Sequence, residues 1–418
     1  MPSTRRCSQL AILVVVALVV IVLHSHTLPY LSLGAPKLSG GFEETVLEYP
    51  GKTSRHSSGR YQTPLGAELS RHATLPVHFR PGIPKPPGSE YSRVMVLPRT
   101  RSEDIGWIPE ELPGLNLAVY VVDDPQAPLH PPKNKGHEVM VYLTYIIDHY
   151  YSLPDIVVFM HAHRHTHHNN EFLGFDASQM IRRLSSEHVI RQGYVNMRCH
   201  WDPGCPEWLY FNGTEQLLGK QEEAFLTQSW RELFPLEPFP TYLAQPCCAQ
   251  FALSRERILS IPLGRFTFYR DWIMKTPLTD YISGRIWEYS WQFIFTGQGA
   301  VCPAEHLCYC DAFGLCFGGS RQYDDFVQLV RDKEKTQKEL EEWKGADKAF
   351  KNRIVDDSVS ATSTHTPPSP EESAHLEERI RFMEREAKDR TKAALARGDA
   401  AALRAEECGR PWNDGDGF

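Results

Sequence analysis

The sequence predicts an α/β domain built on an open, mostly parallel sheet with helices on both faces, spanning residues 91–320. Three observations predict it. Short continuous apolar runs, above all 156–160 (IVVFM), fit strands buried on both faces. Segments with apolar residues at helical spacing lie between those runs. The resulting alternation of strand and helix is what a parallel sheet requires, because parallel neighbours need a crossover connection.

The elements follow in order. Residues 93–97 (RVMVL) predict a first strand, and 117–122 (LAVYVV) a second that ends at Asp123-Asp124-Pro125. Residues 138–150 predict a helix from Val139, Tyr142, Leu143, Ile146, Ile147 and Tyr150, which Leu153-Pro154-Asp155 terminates. After the 156–160 strand come an amphipathic helix at 177–189 and a short strand at 195–197. Further on, 249–253 predicts a strand, Ser254 an N-cap for a helix at 255–260, and 285–295 (RIWEYSWQFIF) one apolar helix.

The flanks differ in character. Residues 1–9 read as a cytoplasmic tail, because Arg5 and Arg6 precede the uncharged apolar run 10–23. That run, extended to residue 27, reads as a single-pass membrane anchor of type II orientation. A cleaved signal would want small residues where His24, Ser25, His26 and Thr27 stand. Residues 28–90, rich in Pro, Gly, Ser, Arg and His, read as a flexible stem. Residues 321–354 predict a charged helix, 355–373 a disordered Ser/Thr/Pro-rich linker, and 374–418 a charged helical tail that lacks a core-forming stripe and is free to take a protein partner. The formal net charge of −7 argues against a general nucleic-acid binder.

Cysteine usage fits a secretory-pathway compartment, Golgi or endoplasmic reticulum, with the domain lumenal or extracellular. Eight cysteines lie inside the domain: Cys199, Cys205, Cys247, Cys248, Cys302, Cys308, Cys310 and Cys316. Behind a targeting signal they read as up to four disulfides, with the pairing open. The rival zinc reading needs a reducing compartment and tighter pairs. Asn212-Gly213-Thr214 is a glycosylation acceptor, which makes the chain a candidate glycoprotein.

The sharpest chemical feature follows the strongest strand. His161, His163, His165, His167 and His168 fall within eight residues, and ligands of open parallel sheets bind beyond the carboxyl ends of strands. If His161 and His163 keep the strand's alternation, their rings share one side and can chelate a divalent metal such as manganese or zinc. Asp123 and Asp124 end an early strand, where nucleotide-binding sheets place an acid against a ribose, although Asp-Asp-Pro is also good turn chemistry. Lys135 and Glu138 lie in NKGHE at the start of a helix, a plausible anion site. Glu288, set among Trp287, Tyr289 and Trp291, and Asp271 are candidate general bases. Arg285, three residues before Glu288, can equally form an internal ion pair with it. Sequence signatures of serine hydrolases, P-loop proteins and zincins are missing from the chain.

Several segments carry a resemblance. NKGHE (134–138), FMHAHR (159–164), WDPGC (201–205), PCCAQF (246–251) and SGRIWEY (283–289) together resemble the largely fungal family named domain of unknown function 3431, over residues 90–320. The resemblance implies a shared domain and names no activity. The order of elements is also similar to an A-type-fold glycosyltransferase. That likeness implies a nucleotide-sugar donor near Asp123, Asp124 and the histidine loop, with Glu288 or Asp271 as base and Arg285 or Arg164 on phosphate. His161-Ala162-His163 stands where that fold carries Asp-x-Asp, so a hard oxygen-ligand site becomes a softer imidazole one. The alternatives are a metal-dependent enzyme of another class and a non-catalytic lumenal binding module.

Overall fold

The run 156–160 becomes the centre of the sheet, with strands on both sides. The computed structural model describes residues 79–211, 220–355 and 369–418. The apolar run 10–23, most of the stem and the acceptor Asn212 lie outside them. Among the described residues, no helix is long and apolar enough to cross a membrane.

The first half alternates β1 (Arg93–Arg99), α1 (Trp107–Glu111), β2 (Asn116–Val121), α2 (Val139–His149) and β3 (Ile156–Phe159). After the histidine loop come α3 (Ala177–Arg183), α4 (Ser186–Gln192) and β4 (Tyr194–Asn196). The second half runs through β5 (Leu209–Tyr210), α5 (Glu223–Leu233), β6 (Tyr242–Leu243), β7 (Phe251–Ser254), α6 (Arg255–Leu259), α7 (Leu263–Lys275), α8 (Asp280–Glu288) and α9 (Trp291–Thr296). A π-turn at Cys308–Ala312 precedes α10 (Ser320–Val355), α11 (Pro370–Gly398) and α12 (Ala401–Glu407).

The main sheet has the order β2-β1-β3-β7-β4, and β5 pairs with β6 in a separate two-stranded sheet. β1 is parallel to β2 and β3, whereas β7 runs antiparallel to both β3 and β4. Four strands therefore point one way and β7 points back, so the sheet is mostly parallel, as expected. Alternation sorts its side chains into two cores. Val94, Val96, Val157, Phe159, Phe251 and Leu253 face α2, α7, α8 and α9. Met95, Leu97, Ile156, Val158, Val195 and Ala252 face α1, α3, α4 and the π-turn. The first core is largely aromatic: Tyr142, Phe159, Phe251 and Trp291 meet with ring centroids 4.7–6.1 Å apart.

Three expectations change. The single helix at 177–189 is two helices, because the chain turns at Leu184 and the Ser185 hydroxyl then caps α4 by accepting from His188 N. The apolar helix at 285–295 is likewise divided between α8 and α9 at Tyr289 and Ser290. The charged tail is not merely a solvated appendage. Leu340, Leu376 and Ile380 form an apolar seam, and Ala394 and Leu395 join the second core. At Gly398 a side chain would collide with the backbone of Gly314, so glycine permits this close approach.

The cysteine expectation holds and the pairing is settled: Cys199–Cys308, Cys205–Cys302, Cys247–Cys248 and Cys310–Cys316. The first two close loops of 109 and 97 residues in sequence, the spans over which a cross-link restricts an unfolded chain most. Cys408 is free. Cys247 and Cys248 lie beside Glu288, and Cys310 and Cys316 beside Glu407, yet sulfurs bonded to each other are not thiolate ligands for zinc.

Candidate functional site

β7 runs backwards through the sheet, so the segment that enters it meets the carboxyl ends of its neighbours β3 and β4. Loops from distant parts of the chain gather there. Beyond Phe159 the ladder ends, and Gln250 takes over the task of holding the chain. Its carbonyl oxygen accepts from His161 N (3.1 Å), and its amide donates to His168 O (3.2 Å) and Asn169 Oδ1 (3.1 Å). This clamp folds the loop so that Nδ1 of His161 and Nδ1 of His168 stand 2.9 Å apart.

The opposite wall comes from the start of α2 and the end of α8. Gly136 and His137 both have positive φ, a turn that aims the first residues of α2 at the histidines. Asp280 Oδ1 accepts from Gly136 N and, at 3.5 Å, from His137 N. Gly284 leaves room for the His137 ring, which any side chain there would strike. Glu138 Oε2 thereby reaches to 3.9 Å from His161 Nε2. From α8, Glu288 Oε1 accepts from Cys248 N at 2.7 Å, and its other oxygen lies 3.7 Å from Arg285. Arg285 also binds the fully buried Glu222 at 2.9 Å. Buried Arg198 donates to Cys247 Sγ (2.5 Å) and to Asp202 O (2.7 Å), drawing the turn at 201–205 to the same wall.

Burial dominates the electrostatics. It pushes Glu138 up to about 8, helped by the negative charges of Glu288 and Asp280. It takes His161 down to about 3 and His168 down to about 4, with neighbouring histidines adding to the effect and Arg198 also bearing on His168. The Glu138–His161 contact is therefore one between neutral groups at neutral pH, although its distance would suit an ion pair. Glu288 is raised by burial and opposed by Arg285 and the Cys248 N–H, which favour its charged form.

The predicted residues separate into two sets. Glu138, His161, His168, Arg285 and Glu288 come together. The others have local partners. His163 leaves the strand's alternation, since β3 ends at Phe159, and its ring faces Glu103 at 3.5 Å rather than His161. His165 and His167 are exposed, with His167 edge-on to His168. Asp123 accepts from Arg101 N (2.9 Å), and Asp124 from Gln126 N (3.0 Å) within its turn. Lys135 donates to Thr276 O at the end of α7. Arg164 ties Asp176 (3.0 Å) to Glu111 (2.8 Å). Asp271 pairs with Lys275 on the surface of α7. Sequence reasoning missed Gln250, Arg198, Glu222 and Asp280. Only Gln250 carried a signal, a lone amide at the start of an apolar strand.

A family model, described as DUF3431, a protein of unknown function, matches residues 95–311, just over half of the chain. The chain belongs to this family. Every residue of the cluster lies inside the DUF3431 span, and so do the segments that wall it. NKGHE, FMHAHR, WDPGC, PCCAQF and SGRIWEY, far apart in the DUF3431 sequence, are neighbours at this edge. No curated protein and no solved structure matches the chain.

Proposed function

We propose that the domain is a glycosyltransferase-like enzyme that takes a nucleotide-sugar donor at the carboxyl edge of its sheet. One observation supports this above the others: three separate segments bring Glu138, His161, His168 and Glu288 into one half-buried cluster at the edge where open α/β sheets take their ligands.

Glu288 is the group suited to act as base. Arg285 and the Cys248 N–H stabilise its carboxylate, while Glu138, neutral when the site is empty, adds no second negative charge beside it. Glu288 takes the proton of an acceptor hydroxyl as that oxygen bonds to the anomeric carbon. The bond from that carbon to the donor's diphosphate breaks, and the nucleoside diphosphate leaves with the electron pair. The nucleotide would lie toward the outer edge, where Arg101 and Asp123 join the ends of β1 and β2. Four disulfides suit an oxidising lumenal or extracellular compartment, reached through the apolar segment 10–27.

The test is a panel of labelled sugar nucleotides, uridine-diphosphate sugars first, offered to the purified full chain with and without manganese. We expect turnover of one donor, cut about 10²- to 10⁴-fold by Glu288→Gln with donor affinity retained. Failure of every donor to bind ends this reading.

A further inference from the structure

Within the cluster, two contacts of one ring call for a common explanation. Nδ1 of His161 lies 2.9 Å from Nδ1 of His168. On the other side of the ring, Nε2 of His161 is buried without a hydrogen-bond partner and faces Glu138 Oε2 at 3.9 Å. A direct N–H···N bond between the rings accounts for the first contact alone. If His161 carries the shared proton, its buried Nε2 is left a bare acceptor with no donor, which is costly.

We infer that His161 and His168 bind a borderline transition-metal ion, zinc or a close relative, through their Nδ1 atoms, with Glu138 as the carboxylate behind the first ligand. Two imidazole nitrogens on one tetrahedral ion, each at about 2.0–2.1 Å, stand roughly 3.3 Å apart. The rings need to part by only a few tenths of an ångström. Coordination through Nδ1 forces the His161 proton onto Nε2, facing Glu138, whose oxygen must close in from 3.9 Å to accept it. Carboxylates fix the tautomer and orientation of ligand histidines in this way. The ligands are held in place beforehand, since Gln250 bonds the backbone of both residues. The remaining coordination positions fall to water or a substrate oxygen, with His167 edge-on to His168 (centroids 4.2 Å) as a further imidazole beside the pair. Two nitrogen ligands favour zinc or copper over the hard ions manganese and magnesium. The pair differs from the His161–His163 pair that strand alternation suggests, because His163 is turned to Glu103.

Zinc chloride alone is the probe, so the result does not depend on any sugar nucleotide, and either reading can fail without the other. The full chain is loaded, desalted and analysed for metal, and affinity is read by competition with a chromogenic chelator. One zinc per chain is expected. His161→Ala and His168→Ala should each weaken binding by about tenfold or more, Glu138→Gln by about tenfold, and His163→Ala should leave it unchanged. Wild-type protein that retains no zinc overturns the inference, as do equal losses in His163→Ala and His168→Ala, or manganese held as tightly as zinc. Should the alanine variants misfold, cobalt(II) titration of the wild type decides: nitrogen-ligated cobalt gives visible d–d bands, and their absence counts against the site.

Discussion

Asp311 is a buried acid and Glu138 a largely buried one, yet their neighbours differ. Asp311 accepts from His188 at 2.7 Å, and Arg191 (3.2 Å) and Arg410 (3.1 Å) bind its other oxygen. Burial opposes its ionisation, but the His188 bond and the surrounding cations hold it well below the usual carboxylate range. Among the described residues Glu138 has no comparable set of cations, and burial pushes it up to about 8. The compensated acid fastens the tail: Arg410 comes from beyond α12, and Arg404 within α12 donates to Asp311 O at 2.6 Å. The uncompensated one faces a histidine pair. Where a fold satisfies a buried charge it is using the group for structure, and where it leaves one strained toward neutrality the group is a candidate for chemistry.

Removing Asp311 should have the largest effect on stability. Asp311→Ala leaves the Arg191 and Arg410 guanidinium groups facing each other without their shared carboxylate, and should cost about 3–5 kcal/mol in denaturant unfolding under oxidising conditions. Limited proteolysis should then cut the tail near α12. If this variant proves no less stable than Glu138→Gln, the contrast fails. The pH dependence of the two acids also runs in opposite directions. Asp311, with a lowered folded value, contributes stability that is fully present above the unfolded carboxylate range and is lost as pH falls from that range through its lowered folded value. Glu138, raised from 4.5 to about 8, favours the native state below 4.5, and that contribution fades as pH rises toward 8.

A second, smaller effect follows. In metal-free protein, Glu138→Gln should flatten the decline in stability between about pH 5 and 8, since glutamine mimics the neutral acid without titrating. Thermal unfolding across that range checks it, and an unchanged slope would show that Glu138 is not the titrating group. The smallest effect sharpens the division inside the histidine loop. His163 is 65% exposed and 3.5 Å from Glu103, so His163→Ala should change stability by less than about 0.5 kcal/mol. A loss several times larger would place His163 with the inner pair.

Much of this was legible in the sequence. The strands at 93–97, 117–122 and 156–160 were plain because parallel strands buried on both faces must be apolar throughout. Ser254 was plain as a cap because its hydroxyl acts within one turn, on Arg257 N. The breaks at Ser185 and Ser290 were not, since apolar spacing continues across them while the backbone turns. His163 was misplaced for a related reason: the alternation that would have paired it with His161 lapses once β3 ends. Asp271 and Glu288 looked alike as carboxylates among aromatic residues, and only packing put one on the surface and the other beside Cys248 and Arg285.

By itself the sequence determined the class of fold, the even set of domain cysteines and the loop in which the imidazoles would gather, because strand burial, cross-linking chemistry and local composition are properties of short segments. Tertiary structure alone decided which cysteines pair, which two of five histidines meet, and which acid is left without a counter-charge. Those outcomes depend on β7 running against its neighbours and bringing Cys248 and Gln250 to the edge where β3 ends, a contact between residues about ninety positions apart that no local pattern encodes.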